Sequence, residues 1–342
     1  MSAFSLFHSN NNKPNQTNLK RRKPAQKLNK PTKLGLQQQA APTAPAAVTY
    51  DPLIAALIIG IEYTNYAAKG YMTRLPGCHN DSITMQKLLS DVFKVLPTNM
   101  LVLMDDGKHQ SPIKSTIQHG FRWLANKAVE SKCTQLWIIY SGHGSYLADT
   151  NGDEPDGNDE VLVPADCYDN GYIDDDYMKD YAIKQIPSFA NLVCCFDCCH
   201  SGSILDLPYS FNSADSAVKQ NVVSNTKWIT ATDTNGMGAL NPLCLSACAD
   251  TQTSVSAYNL NKAREWQGAF TYAFNFVVRQ RWQEQLTAAA SPENTSVTKF
   301  SISASDIINR VGRLIAAKGY DQTTSLSMAT ETTDAKSITF PI

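Results

Sequence analysis

Residues 135–145 read QLWIIYSGHGS and residues 191–203 read NLVCCFDCCHSGS, and these two stretches decide the fold. Each is an apolar run of strand length that ends abruptly in small, polar and nucleophilic residues. Such runs are typical of a parallel sheet covered on both faces, in which the carboxyl ends of the strands open into one crevice. We therefore expect His143 to meet Cys198 and Cys199 at one edge of this sheet.

The alternation of short apolar runs with helical patterns continues from Tyr50 and predicts one α/β domain over residues 50–342. Its sheet should be mostly parallel, with helices on both faces. Ser111-Pro112 resembles an N-cap followed by proline at the first helical position. Residues 207–240 are polar and weakly patterned, and we interpret them as a surface loop that joins the two parts of the domain. The predicted strands are 53–61, 100–104, 135–141, 191–197 and 243–248, and the predicted helices include 82–96, 269–282 and 304–318.

Residues 1–49 differ from the rest of the chain in composition and charge. They hold eight Lys or Arg residues and no acid, which leaves 22 basic and 31 acidic residues in the remainder. A segment with so little apolar surface does not offset its ordering entropy, so we predict a disordered, basic arm rich in Asn, Gln and Pro. Lys20 to Lys23 would suit a nuclear signal or a nucleic-acid contact, but a solvated tail is the preferred interpretation.

The cysteine pattern indicates a reducing compartment. Nine cysteines is an odd number, and four of them lie within residues 194–199, where disulfide geometry could not serve them all. No apolar run approaches the roughly 18 residues of a membrane span, and the N-terminus lacks a secretory pattern. We expect a cytoplasmic monomer, nuclear only through its basic arm, that uses neither a membrane nor nucleic acid.

The two strand-end motifs combine a thiol with an imidazole. A cysteine needs such a neighbour because the thiolate is the nucleophile, and a free pKa of about 8.5 leaves little thiolate at neutral pH. Gly142 and Gly144 permit a sharp exit from the strand beside His143, and Gly202 permits a turn whose N–H groups would stabilise an oxyanion. Taken singly, a buried cysteine is usually a small hydrophobe and a histidine beside glycine a loop residue. Together they predict an acyl-transfer site.

Four stretches carry a family resemblance: GCHND at 77–81, YSGHGS at 140–145, FDCCHSGS at 196–203 and SACADTQTS at 246–254. In combination they resemble the motifs of metacaspases, distant relatives of caspases. The resemblance extends from about residue 53 to the C-terminus. It implies a caspase-like fold, and the compact domain with its Pro- and Gln-rich arm is similar to the type I members.

The resemblance implies a cysteine endopeptidase with a Cys-His dyad. Spacing alone does not choose between Cys198 and Cys199, but the family motif places the nucleophile at the second cysteine, Cys199. His143 is then the acid/base partner. His200 adjoins the nucleophile in sequence, but adjacent side chains on a turn diverge, so a histidine from another strand is the better base.

The resemblance also implies cleavage after Arg or Lys. Two carboxylates that face one cavity would hold a guanidinium or an ammonium by charge-assisted hydrogen bonds. The alternative is that Asp81 caps the helix predicted at 82–96 and that Asp197 orients backbone at its strand end. In the family this specificity pocket is lined by residues matching Cys78, Asp81, Ser141, Asp197 and Ser246.

An acidic cluster follows the histidine motif and predicts a calcium site, since calcium takes six to eight oxygen ligands. An EF-hand loop starting at Asp149 is rejected because its sixth position is Glu154, where glycine is needed, and because a strand precedes it. We interpret Asp149, Asp153 and Asp156 as a solvated loop. The resemblance implies that calcium activates the enzyme through Asp159, Asp174, Asp175 and Asp206.

Two other functions compete with this one. An asparaginyl peptidase or transpeptidase shares such His-Gly and Cys motifs, but the acidic pocket argues against it. A catalytically weak calcium-binding interaction protein with the same fold is the alternative from another class, and the presence of both Cys199 and His143 argues against it. We expect protein or peptide substrates with Arg or Lys at the cleavage site, and autoprocessing at the Lys and Arg residues of the arm.

Overall fold

The structure is a computed structural model. The predicted arm, His200, Gly202, most of the 246–254 motif and large parts of the predicted loop lie outside the residues that it describes. The described residues are 51–150, 152, 157–199, 201, 204–213, 219–220, 242–247, 256–258, 260, 265–289, 302–329 and 339–340.

Most strands of the described chain are short, and the three longest, β1, β3 and β7, have seven residues each. In chain order the strands are β1 (Ile54–Gly60), β2 (Met100–Met104), β3 (Gln135–Ser141), β4 (Gly144–Ala148), β5 (Asn158–Leu162), β6 (Ile173–Asp174), β7 (Asn191–Asp197), β8 (Tyr209–Asn212), β9 (Lys219–Gln220), β10 (Leu243–Ser246), β11 (Ser256–Tyr258), β12 (Trp266–Gly268), β13 (Ile302–Ser303), β14 (Ser325–Met328) and β15 (Thr339–Phe340).

The helices fall between the strands, as an α/β fold requires. A 3₁₀ turn at Pro97–Asn99 leads into β2, and a π-helical turn at Lys179–Ile183 follows the short helix α5. In chain order the α-helices are α1 (Thr64–Ala68), α2 (Cys78–Asp91), α3 (Lys114–Ser131), α4 (Cys167–Asn170), α5 (Asp175–Met178), α6 (Ala269–Ala289) and α7 (Ala304–Ala317).

The central sheet has eight strands in the order β2-β1-β3-β7-β10-β14-β8-β9. The five from β2 to β10 run parallel. β14, β8 and β9 are added to the end of the sheet in antiparallel pairs. A separate sheet, β4-β5-β6, stands beyond the end of β3. The predicted mostly parallel sheet is confirmed.

The core lies on both faces of this sheet because β1, β3 and β10 are buried along their whole length and β7 from its second residue onward. In β1, Leu57 faces one apolar layer and Ile58 faces the other. α3 covers the first face through residues such as Phe121. α2 and α6 cover the second face through residues such as Leu88 and Phe274, and α7 joins them there. The predicted helices on both faces of the sheet are thereby confirmed.

Two predicted helix starts were wrong. α2 begins at Cys78, four residues before the predicted start, because Gly77 adopts a φ of 123° that ordinary side chains rarely tolerate. Asp81 therefore lies inside the first turn and does not cap the helix. α3 begins at Lys114 with Ile113 at its N-cap, so Ser111 does not cap it either.

The loop predicted over residues 207–240 was wrong at two places, since Tyr209–Asn212 forms β8 and Lys219–Gln220 forms β9. β8 pairs with β14 in the central sheet. Phe211 supplies the reason, because it is buried in the apolar layer that α6 and α7 cover. One inward-facing aromatic in a short polar strand is too weak a period-2 signal to identify from sequence.

Candidate active site

The two motifs that end β3 and β7 lie side by side. The strands are parallel neighbours in register, with Ser141 opposite Asp197, so His143 and Cys199 each follow two residues beyond a paired position. Gly144 makes the contact possible, since any side chain at this position would collide with the carbonyl oxygen of Cys199. The structure thus brings the histidine and cysteine motifs together at the carboxyl edge of the sheet.

His143 is buried, at 8% exposure, and is held from several sides. Its Nε2 lies 2.8 Å from the carbonyl oxygen of Thr73. Its backbone N–H donates to the hydroxyl of Tyr63 at 2.9 Å, and the two rings lie 4.8 Å apart. The hydroxyl of Tyr140 donates to the backbone carbonyl of His143 at 2.7 Å.

These contacts fix the tautomer of His143. A carbonyl oxygen only accepts hydrogen bonds, so Nε2 carries the hydrogen toward Thr73 and Nδ1 is the basic nitrogen. Burial lowers the pKa of His143 below its ordinary value, and the Thr73 carbonyl partly opposes that shift. A neutral imidazole with one defined basic nitrogen is suited to accept a proton from a thiol.

The cysteines near the end of β7 differ in their surroundings. Cys194 and Cys195 are fully buried in the strand, and burial raises the pKa of both thiols, so they act as small hydrophobes. Cys198 is 1% exposed, whereas Cys199 is partly exposed. Ser201 holds the turn by donating its hydroxyl to the carbonyl of Cys198 at 3.0 Å.

Most of the predicted specificity pocket converges beside this edge. Ser141 donates its hydroxyl to Oδ2 of Asp81 at 2.8 Å. Gly268 lies against both acids: a side chain there would collide with the carboxylate of Asp197 and lie 2.9 Å from Oδ2 of Asp81. Cys78 starts α2 on the same side and is buried.

The pocket carboxylates are buried and repel each other. Burial first, and then the charge of Asp197, raises the pKa of Asp81 well above its ordinary value. Burial and the charge of Asp81 likewise raise the pKa of the Cys78 thiol. A cation between Asp81 and Asp197 would relieve this repulsion.

Ser246 stands apart from the acids. It is the last residue of β10, and its hydroxyl donates to the carbonyl oxygen of Ser201. Its register partner is Phe196, next to Asp197. The structure therefore places Ser246 beside the end of β7, in contact with the cysteine turn.

Sequence reasoning missed the start of α6 as part of this pocket. Gly268 donates its N–H to Oδ1 of Asp81 at 2.9 Å. Thr271 donates both its N–H and its hydroxyl to Oδ2 of Asp197, at 3.0 and 2.8 Å. The signal was present, since a helix predicted to begin at Ala269 has orphan N–H donors that favour carboxylates.

The acidic cluster divides into two parts. Asp175 and Asp206 are buried, and burial together with the charge of Asp206 raises the pKa of Asp175 to about 8. Oδ2 of Asp175 accepts the backbone N–H of Glu160 at 3.1 Å. Oδ1 of Asp174 instead accepts the N–H of Tyr177 at 2.8 Å and caps α5.

Two charged residues beside the predicted calcium ligands were not among them. Glu160 is buried beside Asp175, next in sequence to the predicted ligand Asp159. Nζ of Lys179 lies 3.5 Å from Oδ2 of Asp206, and both side chains are buried. Among the described side chains, no three His, Cys, Asp or Glu groups converge closely enough to hold a metal ion.

The acidic loop after the histidine motif is a hairpin connection. β4 pairs antiparallel with β5, with Leu147 opposite Asp159, and residues 149–157 join them. The rejection of an EF-hand is confirmed, because strands and not helices flank the loop. Oδ1 of Asp149 accepts the N–H of Gly152 at 2.7 Å, while Asp153 and Asp156 lie outside the described residues.

No helix within the described ranges is both long enough and apolar enough to cross a membrane.

Comparisons with known proteins give one consistent family. A family profile described as metacaspase, peptidase C14 domain, matches residues 55–208. Metacaspase III c of Phaeodactylum tricornutum is 37% identical over 171 residues, which is 50% of this chain and 49% of that protein. Metacaspase-1 of Schizosaccharomyces pombe is 30% identical over 266 residues, which is 67% of this chain and 60% of that protein. The chain thus spans about half to three fifths of these relatives.

A solved structure shares the fold. The crystal structure of a protein from Geobacter sulfurreducens superposes with a TM-score of 0.50 at 17% identity, covering 81% of this chain and 93% of that one. At this identity the likeness concerns the fold alone.

Proposed function

The chain belongs to the metacaspase family, and from this membership we propose that it is a cysteine endopeptidase that cleaves protein or peptide substrates after Arg or Lys. The observation that carries the proposal is the meeting of two strand ends, which sets the His143 motif against the Cys199 motif. A buried imidazole with a defined tautomer beside a partly exposed thiol is the arrangement that acyl transfer needs.

The proposed reaction proceeds in two steps. Nδ1 of His143 takes the thiol proton of Cys199 as sulfur attacks the scissile carbonyl and a C–S bond forms. The imidazolium then gives its proton to the leaving amine as the C–N bond breaks. In the second step water, deprotonated by Nδ1 of His143, attacks the thioester carbonyl, and the thiolate of Cys199 leaves and is reprotonated.

The specificity pocket supports a preference for cationic side chains. Asp81 already accepts the N–H of Gly268, at the end of β12, and Asp197 accepts the N–H of Thr271, in α6; these bonds hold the carboxylates in place but do not cancel two negative charges. A substrate guanidinium would do so by charge-assisted hydrogen bonds. Since acid protonates Asp81 at a higher pH than an ordinary aspartate, the KM for Arg substrates should rise as pH falls through that pKa.

Calcium activation rests on the acidic cluster, and the residues present fit a calcium ion in part. Asp175 and Asp206 are buried oxygen donors close enough to repel each other, and Glu160 adds a third carboxylate nearby. We propose that these residues, with Asp159 and Asp174, close around the ion when it binds, since the described carboxylates are not close enough together to hold it as they stand. Calcium supplies positive charge that offsets this repulsion. Asp206 follows the cysteine motif in sequence and Asp174 precedes α5, so the ion would tie these two segments together.

The test is cleavage of fluorogenic peptides that end in Arg, Lys, Asp or Asn, with calcium and with chelator. We expect cleavage after Arg and Lys only, abolished by chelator. Asp81→Asn should lower kcat/KM for the Arg peptide by about 10- to 100-fold, which corresponds to the usual free energy of a hydrogen bond to a charged group. The exposed Asp91→Asn is the matched control. Cleavage after Asp or Asn would refute the proposed specificity, and activity in chelator would refute the calcium requirement.

A further inference from the structure

A cluster of four charged residues, the Glu62 cluster, lies outside both the specificity pocket and the acidic cluster. It consists of Glu62, Arg74, His79 and Asp105. Nε of Arg74 donates to Oε2 of Glu62 at 3.1 Å, and Nη2 makes a second contact with the same oxygen. Nε2 of His79 lies 2.6 Å from Oδ1 of Asp105. The Glu62 side chain is only 8% exposed, so its charge is held in a largely dry environment, whereas the Arg74 side chain that pairs with it is 52% exposed.

The Glu62 cluster ties two separate stretches of backbone together. Asp105, just after β2, accepts the N–H of Glu62 at 2.9 Å and the N–H of Tyr63 at 2.8 Å. Oε1 of Glu62 accepts the N–H of Gly77 at 3.0 Å, and its backbone carbonyl accepts the N–H of Leu75 at 3.2 Å. The turn after β1 and the segment before α2 are thereby fixed to each other.

The turn after β1 and the segment before α2 contact His143 from different sides. Tyr63 provides the hydroxyl that accepts its backbone N–H, and Thr73 provides the carbonyl that accepts Nε2–H. The carbonyl of Thr73 and the nitrogen of Arg74 belong to one peptide plane, so an ion pair that holds Arg74 also restrains that carbonyl. Tyr63 has a φ of 56°, a costly conformation for a tyrosine that the two bonds to Asp105 help to maintain.

We propose that Glu62 is a positioning residue for His143, acting through Arg74 and Gly77 on the Thr73 carbonyl. It does not touch substrate. It keeps the hydrogen of His143 on Nε2 and so leaves Nδ1 as the base. This inference rests on the proposed function, since it assigns a supporting role within the same site.

Several groups face His143 and would share in any pH effect. They are the hydroxyls of Tyr63, from the turn after β1, and Tyr140, from β3, together with the Cys198 sulfur, which lies against the neighbouring Gly144, and, in the proposed reaction, the thiol of Cys199. The Thr73 carbonyl favours the protonated imidazole, whereas burial disfavours it. Loss of the carbonyl contact should therefore lower the pKa of His143 further and move the acid limb of the activity profile to lower pH.

The test uses the full chain with Arg74→Met and Glu62→Gln. The matched control is Arg279→Met, which breaks a similar Arg–carboxylate pair, with Asp91, away from His143. For Arg74→Met we expect kcat on the Arg peptide to fall about tenfold with KM nearly unchanged and the acid limb shifted to lower pH. Glu62→Gln should act in the same direction, and the control should change neither kcat nor the acid limb.

A second measurement does not depend on turnover. Nitrogen NMR of ¹⁵N-histidine protein, with the His143 signals assigned by a His143→Asn variant, reads the tautomer directly. We expect hydrogen on Nε2 in the parent and a mixture of tautomers in Arg74→Met. An unchanged tautomer, or a kcat loss of equal size at every pH, would overturn the positioning role. A parent chain that shows the Nε2–H tautomer but cleaves no peptide would instead refute the proposed function.

Discussion

Exposure to solvent distinguishes two adjacent cysteines, Cys198 and Cys199, that the sequence spacing leaves equivalent. Cys198 is packed among the residues of the α3-facing core, where its environment suits a small apolar group. Cys199 is partly open, beside the histidine motif. A nucleophile must reach a peptide carbonyl, so accessibility favours Cys199.

The pair gives the first residue-scale prediction. Cys199→Ala should lower peptidase activity by roughly a thousandfold or more because no covalent intermediate can form. Cys198→Ala should keep activity within about threefold and cost only the packing of one buried sulfur. Initial rates with the Arg peptide, measured beside thermal unfolding, check both. The reverse order of activities would place the nucleophile at Cys198.

At the residue scale, the side chains that carry the site's chemistry were predictable from sequence, but the residues that position them were not. His143, Cys199, Asp81 and Asp197 stand in recognisable motifs because their side chains carry the chemistry. Thr73 contributes only a backbone carbonyl, which every residue type possesses, so no sequence pattern could identify it. The part played by Glu62 and Asp105 depends on distant contacts across the sheet edge, which local patterns do not encode.

At the scale of elements, the π-helical turn after α5 brings a cation into the acidic cluster. Lys179 is the first residue of this turn, and its ammonium lies beside Asp206 in a buried setting. π-turns are rare and are frequently found at functional sites. The Lys179 ammonium neutralises part of the negative charge of the cluster, so at the proposed site it would compete with calcium for the carboxylate of Asp206.

Lys179→Met should therefore tighten calcium binding by about tenfold or more, because it removes a buried competing charge. Isothermal titration calorimetry with calcium alone measures this without reference to activity. Lys184→Met is the matched control, since Lys184 pairs with Asp180 one turn further along at a more exposed position. Equal affinity in parent and Lys179→Met would contradict the competition, and absent binding in both would refute the calcium site.

The strands were easier to predict than the helix ends. β3 and β7 agree with their predicted bounds because fully buried apolar runs stop where the chemistry begins. The start of α2 was misplaced because it depends on the backbone angle of Gly77 and not on an apolar period. β14 was not predicted, since SLSM reads as polar although all four residues are buried.

At the scale of the whole molecule, the folded domain begins close to where the composition changes. Asp51 already pairs with Val95, and β1 follows at Ile54. The mostly parallel sheet and its two helical layers were predictable because they follow from βα alternation. The three antiparallel strands at one end were not, because β8 and β9 are short and their partner β14 comes far later in the chain.

Removal of residues 1–49 should leave a folded and active enzyme, because that arm has little apolar surface with which to dock. We expect the Tm to stay within about 2 °C and kcat/KM within about twofold of the full chain. Thermal unfolding and Arg-peptide kinetics on residues 50–342 measure both. An insoluble or inactive truncated protein would contradict the independence of the domain.

The path of the chain through β8 has one further consequence. After the cysteine turn the chain passes beyond β10 and β14 to form β8, and only then returns to form β10 in the middle of the sheet. A single cleavage between β9 and β10 would thus yield two fragments that pair with each other at two places in the sheet, through β7 with β10 and through β8 with β14. The two fragments would separate on a denaturing gel but elute together from a size-exclusion column. An enzyme that cut itself between β9 and β10 would therefore keep its fold.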